Sequence, residues 1–231
     1  MTDPLQKTQI YIACQLKHHQ THSKAERRLG QPFITISRQT GAYGLTMAAK
    51  LSEYLQKHDR RKHCPWTAFD KNIIEKVIEQ HNLPDTFTPY FSESVVSEID
   101  DTLEELFGVQ PSQWALVHRM SETILHWARL GYAIIVGRGA NIITRKLSKG
   151  VHLKLIGSIE KRIEHVQEYY KLSKEQAKKF IVDEERGREH YLRKYFNKNF
   201  NDPLLYDLVI NMDAVSPDEA VKAVAGLVLE G

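Results

Sequence analysis

Phe33-Ile34-Thr35-Ile36-Ser37-Arg38-Gln39-Thr40-Gly41-Ala42-Tyr43-Gly44-Leu45-Thr46 is the stretch on which the fold turns: an apolar run enters a glycine-containing turn and leaves as a helix. Phe33 to Ser37 has the short, continuous apolar pattern of a parallel strand buried on both faces. Leu45, Ala48, Ala49, Leu51, Tyr54 and Leu55 then recur at helical spacing as far as Lys57. This β-loop-α unit looks like a damaged phosphate-binding loop. In an intact one, backbone N–H groups of a Gly-rich turn and a helix N-terminus cradle the phosphates, a Lys reaches the β/γ oxygens, and a Ser/Thr hydroxyl holds Mg²⁺. Here Gly44 and Thr46 stand where the last Gly and the Ser/Thr belong, but Leu45 replaces the Lys and Gln39 the first Gly.

The alternation continues along the chain. Trp66 to Phe69 reads as a second strand, closing on Asp70-Lys71 before a helix through Ile73, Ile74, Val77 and Ile78, which Pro84 and Pro89 interrupt. Ser92 to Phe107 is acidic and amphipathic and ends at Gly108 and Pro111, which predicts a helical substrate-side region over about 84–112. Ser112 to Leu130 reads as a long helix capped by Gly131, and Tyr132-Ala133-Ile134-Ile135-Val136 as a strand buried on both faces. Val151 to Ile156 supplies another strand; Ser158 caps a helix from Ile159 through about Tyr170, and Ser173 starts a second with Glu175 and Gln176 behind it. Leu208-Val209-Ile210-Asn211 is the last strand, and Ser216-Pro217-Asp218-Glu219 has the N-cap, N1 proline and acidic first turn of a closing helix to Leu229. No internal repeat or low-complexity tract interrupts the order.

Such alternation predicts an α/β fold, a three-layer sandwich whose central parallel sheet binds ligands outside the carboxyl ends of its strands. Both glycine motifs fall there: Gly41 to Thr46 after the first strand, and Gly137-Arg138-Gly139 after Val136. Residues 1–30 are expected to form an N-terminal helical extension, Gln6 to about Leu29, that packs on the domain or on a second subunit in a homodimer. Residues 31–231 form the main domain, with a lid region over about 158–203.

The 231 residues, 42% hydrophobic and 26% charged, fit one globular domain and exclude disordered and fibrous classes. A net charge of +3 is too small and dispersed to argue for nucleic acid, and an anionic small molecule is the more economical partner. No apolar run approaches the roughly 20 residues of a membrane helix, and Met1-Thr2-Asp3-Pro4 lacks a signal pattern, so a soluble cytoplasmic protein is expected. Cys14 and Cys64 lie far apart and form no CxxC pair, which argues against a zinc ribbon or a disulfide scaffold.

Three further constellations carry chemistry. Arg138 between two glycines at a strand end offers a planar fork to an oxyanion, the alternative being a structural arginine that bridges two loops. Asp183-Glu184-Glu185-Arg186-Gly187-Arg188-Glu189-His190-Tyr191, preceded by Arg162, reads either as a solvated helix with i,i+4 ion pairs or as a lid with arginines near a movable loop before Asp202-Pro203. Cys14, His18 and His22 share one face of the N-terminal helix, but one helix offers a metal only a neighbouring pair, so the remaining ligands would have to come from elsewhere.

The ordered pieces Ile34-Thr35-Ile36-Ser37-Arg38-Gln39-Thr40-Gly41, Phe69-Asp70-Lys71, Val136-Gly137-Arg138-Gly139-Ala140-Asn141, Arg186-Gly187-Arg188 and Asp202-Pro203 through Tyr206-Asp207-Leu208-Val209-Ile210-Asn211 resemble the cytidylate-kinase-like family of P-loop nucleoside monophosphate kinases. The resemblance runs from about Phe33 to Leu229. It implies an ATP- and Mg²⁺-dependent kinase that phosphorylates a nucleoside monophosphate, CMP or dCMP. The turn Gly41, Ala42, Tyr43, Gly44, Leu45 and Thr46 would then bind the donor triphosphate, with the Thr46 hydroxyl on Mg²⁺. Arg38, Arg138, Arg186 and Arg188 would serve the phosphates, and Asp70 and Lys71, with Arg138, the acceptor.

The chain departs from the family where chemistry is most sensitive. Leu45 removes the usual loop cation, although Arg38 or Lys71 could replace it, and Tyr43 puts a bulky ring in a turn that favours positive φ. Two alternatives therefore stand beside the kinase: a catalytically weak or inactive nucleotide-binding sensor or partner-binding protein, and a kinase for a non-nucleotide acceptor.

Overall fold

The structure, a computed structural model, describes residues 4–21, 30–74 and 115–230. The acidic segment expected over 84–112, and residues 22–29 of the N-terminal extension, lie outside the described residues. Five strands form one all-parallel sheet: β1 (Phe33–Arg38), β2 (Thr67–Phe69), β3 (Ala133–Val136), β4 (Gly150–Ile156) and β5 (Leu208–Asn211), in the order β2-β3-β1-β4-β5. Phe33 aligns with Ala133 on one side of β1 and with Gly150 on the other. Phe33 to Ser37 is buried at every position, which a strand achieves only when helices cover both faces of its sheet.

The helices are α1 (Pro4–Thr21), α2 (Gly44–His58), α3 (Ala115–Leu130), α4 (Ala140–Ile143), α5 (Ile159–Tyr170), α6 (Lys174–Phe196) and α7 (Pro217–Glu230). Helix α2 packs on α7, α3 on α4, and α5 on α6. The apolar stripe of α2 inserts Met47, Leu51 and Leu55, all fully buried, into the core under β1 and β3. Ser158 caps α5 as its sequence foretells, and Ser173 with Gln176 forms a complete capping box on α6. Helix α6 continues without a break through Gly187, so Arg186 and Arg188 stand in mid-helix rather than beside a movable loop.

The cysteines require a correction. Cys14 on α1 and Cys64 before β2 form a disulfide, with Cα atoms 5.7 Å apart across 50 residues of chain. Sequence separation is uninformative about this pair, because the fold lays α1 across the amino ends of β2 and β3. The Tyr11 hydroxyl donates to the Gly131 carbonyl at 2.7 Å, and the Gln15 amide reaches the carbonyls of Leu130 and Gly131. No helix among the described residues is long and apolar enough to cross a membrane.

Candidate active site

A cavity of about 240 Å³ opens at the carboxyl ends of β1 and β2. The turn Gly41, Tyr43, Gly44, Leu45 and Thr46 lines one side, Asp70, Lys71 and Asn72 a second, and α5 and α6 the rest through His165, Tyr169, Tyr170, Phe180, Glu184 and Arg188. This is where a parallel α/β sheet presents helix N-termini and turn amides to a ligand. The carboxylate of Asp70 accepts from the Ile73 N–H at 2.9 Å, which fixes it at the start of the helical residues 71–74.

Arg38 organises the floor of this cavity. It is the last residue of β1, and its side chain runs beneath Gly44 toward Gly137. A Cβ at Gly44 would lie 2.8 Å from the Arg38 Cγ, and one at Gly137 would collide with the guanidinium, so both glycine motifs are shaped around this arginine. Among the described residues the Arg38 guanidinium has no hydrogen-bond or ion-pair partner. Burial, reinforced by the like charge of Arg188, pushes its pKa down to about 10. Arg188 is lowered as well, chiefly by burial, against the opposing pull of Glu184 and Glu185. Two cations thus face one cavity with incomplete counter-charge, an arrangement that an incoming polyanion relieves.

The loop itself is tied down by side chains from α5 and α6. Arg188 donates to the Arg38 carbonyl at 3.2 Å and to the Thr40 hydroxyl at 2.9 Å. Arg162 donates to the carbonyls of Thr40 and Gly157 and pairs with Glu185, whose carboxylate accepts from the Thr40 N–H at 3.1 Å. His165 Nδ1–H donates to the Gly41 carbonyl at 2.8 Å, which sets the tautomer of its ring. Tyr43, in the left-handed region at φ 58°, stacks on the same ring at 3.9 Å between centroids. A non-glycine residue there costs about 1 kcal/mol of backbone energy, which the stacking offsets.

The residues expected from sequence separate into two groups. Arg38, Gly41, Tyr43, Gly44, Leu45, Thr46, Asp70, Lys71 and Arg188 line one cavity. Ala42 is buried beneath the loop, Arg186 is exposed on α6, and Arg138 lies outside the cavity lining, half-buried with its guanidinium 5.8 Å from the Tyr191 ring centroid. Sequence reading assigned no role to His165, Glu185 or the aromatic wall of Tyr169, Tyr170 and Phe180. The signal for part of this set was a spacing: Arg162, His165 and Tyr169 recur at i, i+3 and i+7, one face of α5.

A profile of the cytidylate kinase-like family matches residues 33–214. The chain is similar in structure to an uncharacterized protein from Eubacterium ventriosum at 17% identity, over 86% of this chain and 98% of that one, with a TM-score of 0.62. That likeness concerns the fold alone. A shikimate kinase from Acinetobacter baumannii (14% identity, 87% and 94% of the two chains, TM-score 0.44) and a dephospho-CoA kinase from Campylobacter jejuni (14%, 87% and 99%, TM-score 0.38) are more distantly similar. No curated protein matches the sequence. The chain belongs to the cytidylate kinase-like family, and that membership supports phosphoryl transfer as the general chemistry of the site.

Proposed function

We propose that this member of the cytidylate kinase-like family is an ATP- and Mg²⁺-dependent nucleoside monophosphate kinase, with CMP or dCMP as acceptor. The observation that carries the reading is the pair Arg38 and Arg188: two half-buried arginines that line a cavity walled by the phosphate-loop turn. Phosphoryl transfer is driven by positioning and by cations held over the transferring group. Arg38 supplies from below the charge that Leu45 cannot, and Arg188 supplies it from the lid side. Both are positioned before any ligand arrives, Arg38 by the glycines around it and Arg188 by its bonds to the Arg38 carbonyl and the Thr40 hydroxyl.

The donor set also suits a hard divalent cation. The Thr46 side chain in the first turn of α2 and the Asp70 carboxylate line the same cavity, oxygen ligands of the type Mg²⁺ takes together with water and phosphate. Bound there, the cation would neutralise charge on the β/γ oxygens. The aromatic wall of Tyr43, His165, Tyr169, Tyr170 and Phe180 offers flat faces to a base, and Asp70 and Lys71 reach the acceptor side. Arg138 waits at the carboxyl end of β3, as a second-line cation for the acceptor phosphate.

Incubation with Mg²⁺-ATP and each of CMP, dCMP, UMP and AMP, with ADP release followed against a no-acceptor control, tests the reading. Acceptor-dependent turnover that Arg188→Ala abolishes is expected, with Arg186→Ala close to wild type because Arg186 is exposed. Absence of turnover with every acceptor, alongside tight nucleotide binding, would favour the alternative of a nucleotide-binding sensor, which Leu45 and Tyr43 support.

A further inference from the structure

We propose that Lys154 is a positioning residue for Arg188, holding through the Phe200 carbonyl the place where α6 returns to the sheet; the proposal rests on the reading of the cavity as a phosphate site. Lys154 stands inside β4, aligned with Ser37 of β1 on one side and Val209 of β5 on the other. It is 4% exposed, and its ammonium donates to the Phe200 carbonyl at 2.7 Å and to the Asn201 side-chain oxygen at 3.1 Å. The same nitrogen lies 4.1 Å from the ring centroid of Phe200 and 5.4 Å from that of Tyr206. Tyr206 is buried too; its hydroxyl donates to the Phe200 carbonyl at 3.0 Å and lies 3.3 Å from the Ser37 hydroxyl.

Packing alone does not ask for a charge at this position. A buried ammonium is costly, and an apolar side chain of similar length would fill the space beside the two rings without that cost. What the charge does is hold a carbonyl: among the described residues the Phe200 oxygen accepts from Lys154 and Tyr206 and from no backbone N–H. Phe200 follows the end of α6 at Phe196, and Arg188 stands about two turns back along that helix. Through Tyr206 the same oxygen is joined to Ser37, the residue before Arg38, so the return of α6 and the end of β1 are fixed against each other. Burial lowers the pKa of the ammonium, and Glu185 and Glu189, one turn apart on α6, oppose that fall. Loss of the charge would free the Phe200 carbonyl and let the end of α6 shift, carrying Arg188 with it. A misplacement of about 1 Å at a charge-stabilising group costs up to about a hundredfold in rate.

The test is a double-mutant cycle on the full chain, read by calorimetric binding of inorganic tripolyphosphate, a polyanion without a base. Lys154→Met should weaken binding about tenfold in the wild-type background and less than about twofold in the Arg188→Ala background, because its effect runs through Arg188. An equal loss in both backgrounds would make Lys154 merely structural and overturn the proposal, as would unaltered binding in Lys154→Met or no binding by the wild type. Should Lys154→Met fail to fold, Tyr206→Phe runs the same cycle: it keeps the ring and removes only the hydroxyl bond to the shared carbonyl. Its loss should be about threefold and should vanish with Arg188→Ala, and equal loss in both backgrounds overturns the proposal there too. The cycle needs no turnover, so a wild type that binds tripolyphosphate but phosphorylates no acceptor refutes the kinase reading and not this one.

Discussion

At the carboxyl end of the sheet, two half-buried arginines face a cavity, an aromatic residue takes a left-handed turn, and side chains from α5 and α6 hold the loop. At the amino end, α1 is fastened across β2 and β3 by a disulfide, a buried tyrosine hydroxyl and stacked rings. In the first region Arg188 pairs with Glu184 at 3.2 Å while Arg38 has no ion-pair partner among the described residues; the second is held by covalent and hydrogen-bonded contacts between α1 and the strands. Incompletely paired positive charge is what a site for a polyanion requires. The two ends should therefore separate in experiment, one answering in turnover and the other in stability.

Arg38→Met is the sharpest blow to the carboxyl end. Methionine keeps an apolar stem under Gly44 and removes only the charge, so kcat/KM should fall by about a thousandfold or more, the loss seen when one charge-stabilising donor is deleted. The melting temperature should hold or rise, because a half-buried guanidinium beside the like charge of Arg188 is itself a cost. A large fall in melting temperature together with activity would make Arg38 structural and dissolve the contrast.

At the amino end the expectation is reversed. Reducing Cys14–Cys64 should lower stability by at most about 4 kcal/mol, the chain-entropy value for a closed loop of 50 residues, as read from denaturant midpoints. The kcat for any acceptor should stay within about twofold, since the disulfide and the cavity sit at opposite ends of the strands. A matching loss of turnover would show that the two ends are coupled through β2.

How far these regions could be read from sequence differs for a physical reason. Strands, caps and both glycine turns are local patterns, so β1, β5, the caps of α5 and α6 and the positive φ at Tyr43 were legible. Arg38 was visible as a candidate, yet its path between Gly44 and Gly137 depends on two segments 93 residues apart in sequence, which no local pattern encodes. The Cys14–Cys64 pair and the lid contacts of Glu185 and His165 are likewise products of tertiary packing. Of the two readings of Asp183 to Tyr191, the helix with i,i+4 ion pairs is the one the structure has: α6 runs through Gly187, at a cost of only about 1 kcal/mol for a glycine inside a helix, and Arg188 pairs with Glu184 at 3.2 Å.

Between the two ends, in mid-sheet, His152 links pH to stability. Its Nδ1 shares a hydrogen bond with the Thr35 hydroxyl at 2.8 Å, and burial pushes its pKa down to about 4. In the unfolded chain the ring titrates near 6.5, so between these values only the unfolded state takes the proton. Stability should fall as pH drops from about 6.5 to about 4, by up to about 3 kcal/mol, and this contribution should be level on either side. Unfolding of wild type and His152→Gln across that window checks it: the variant should lose this part of the slope, whereas an unchanged slope would assign the acid sensitivity to other groups.

Leu45→Lys is the smallest and most discriminating change. The substitution restores the cation that a phosphate loop normally carries, and if the loop were merely weakened, turnover would climb by orders of magnitude. Leu45 is 37% exposed at the cavity rim, however, while Arg38 already places a guanidinium beneath the same turn. A third cation beside Arg38 and Arg188 adds repulsion before ligand binds and duplicates a role already filled. The expected effect on kcat is therefore less than about tenfold, under 1.4 kcal/mol. The double variant Arg38→Met, Leu45→Lys settles the point: substantial rescue would show that the cation serves the same phosphate from either side of the loop, and no rescue would show that only the floor of the cavity reaches it.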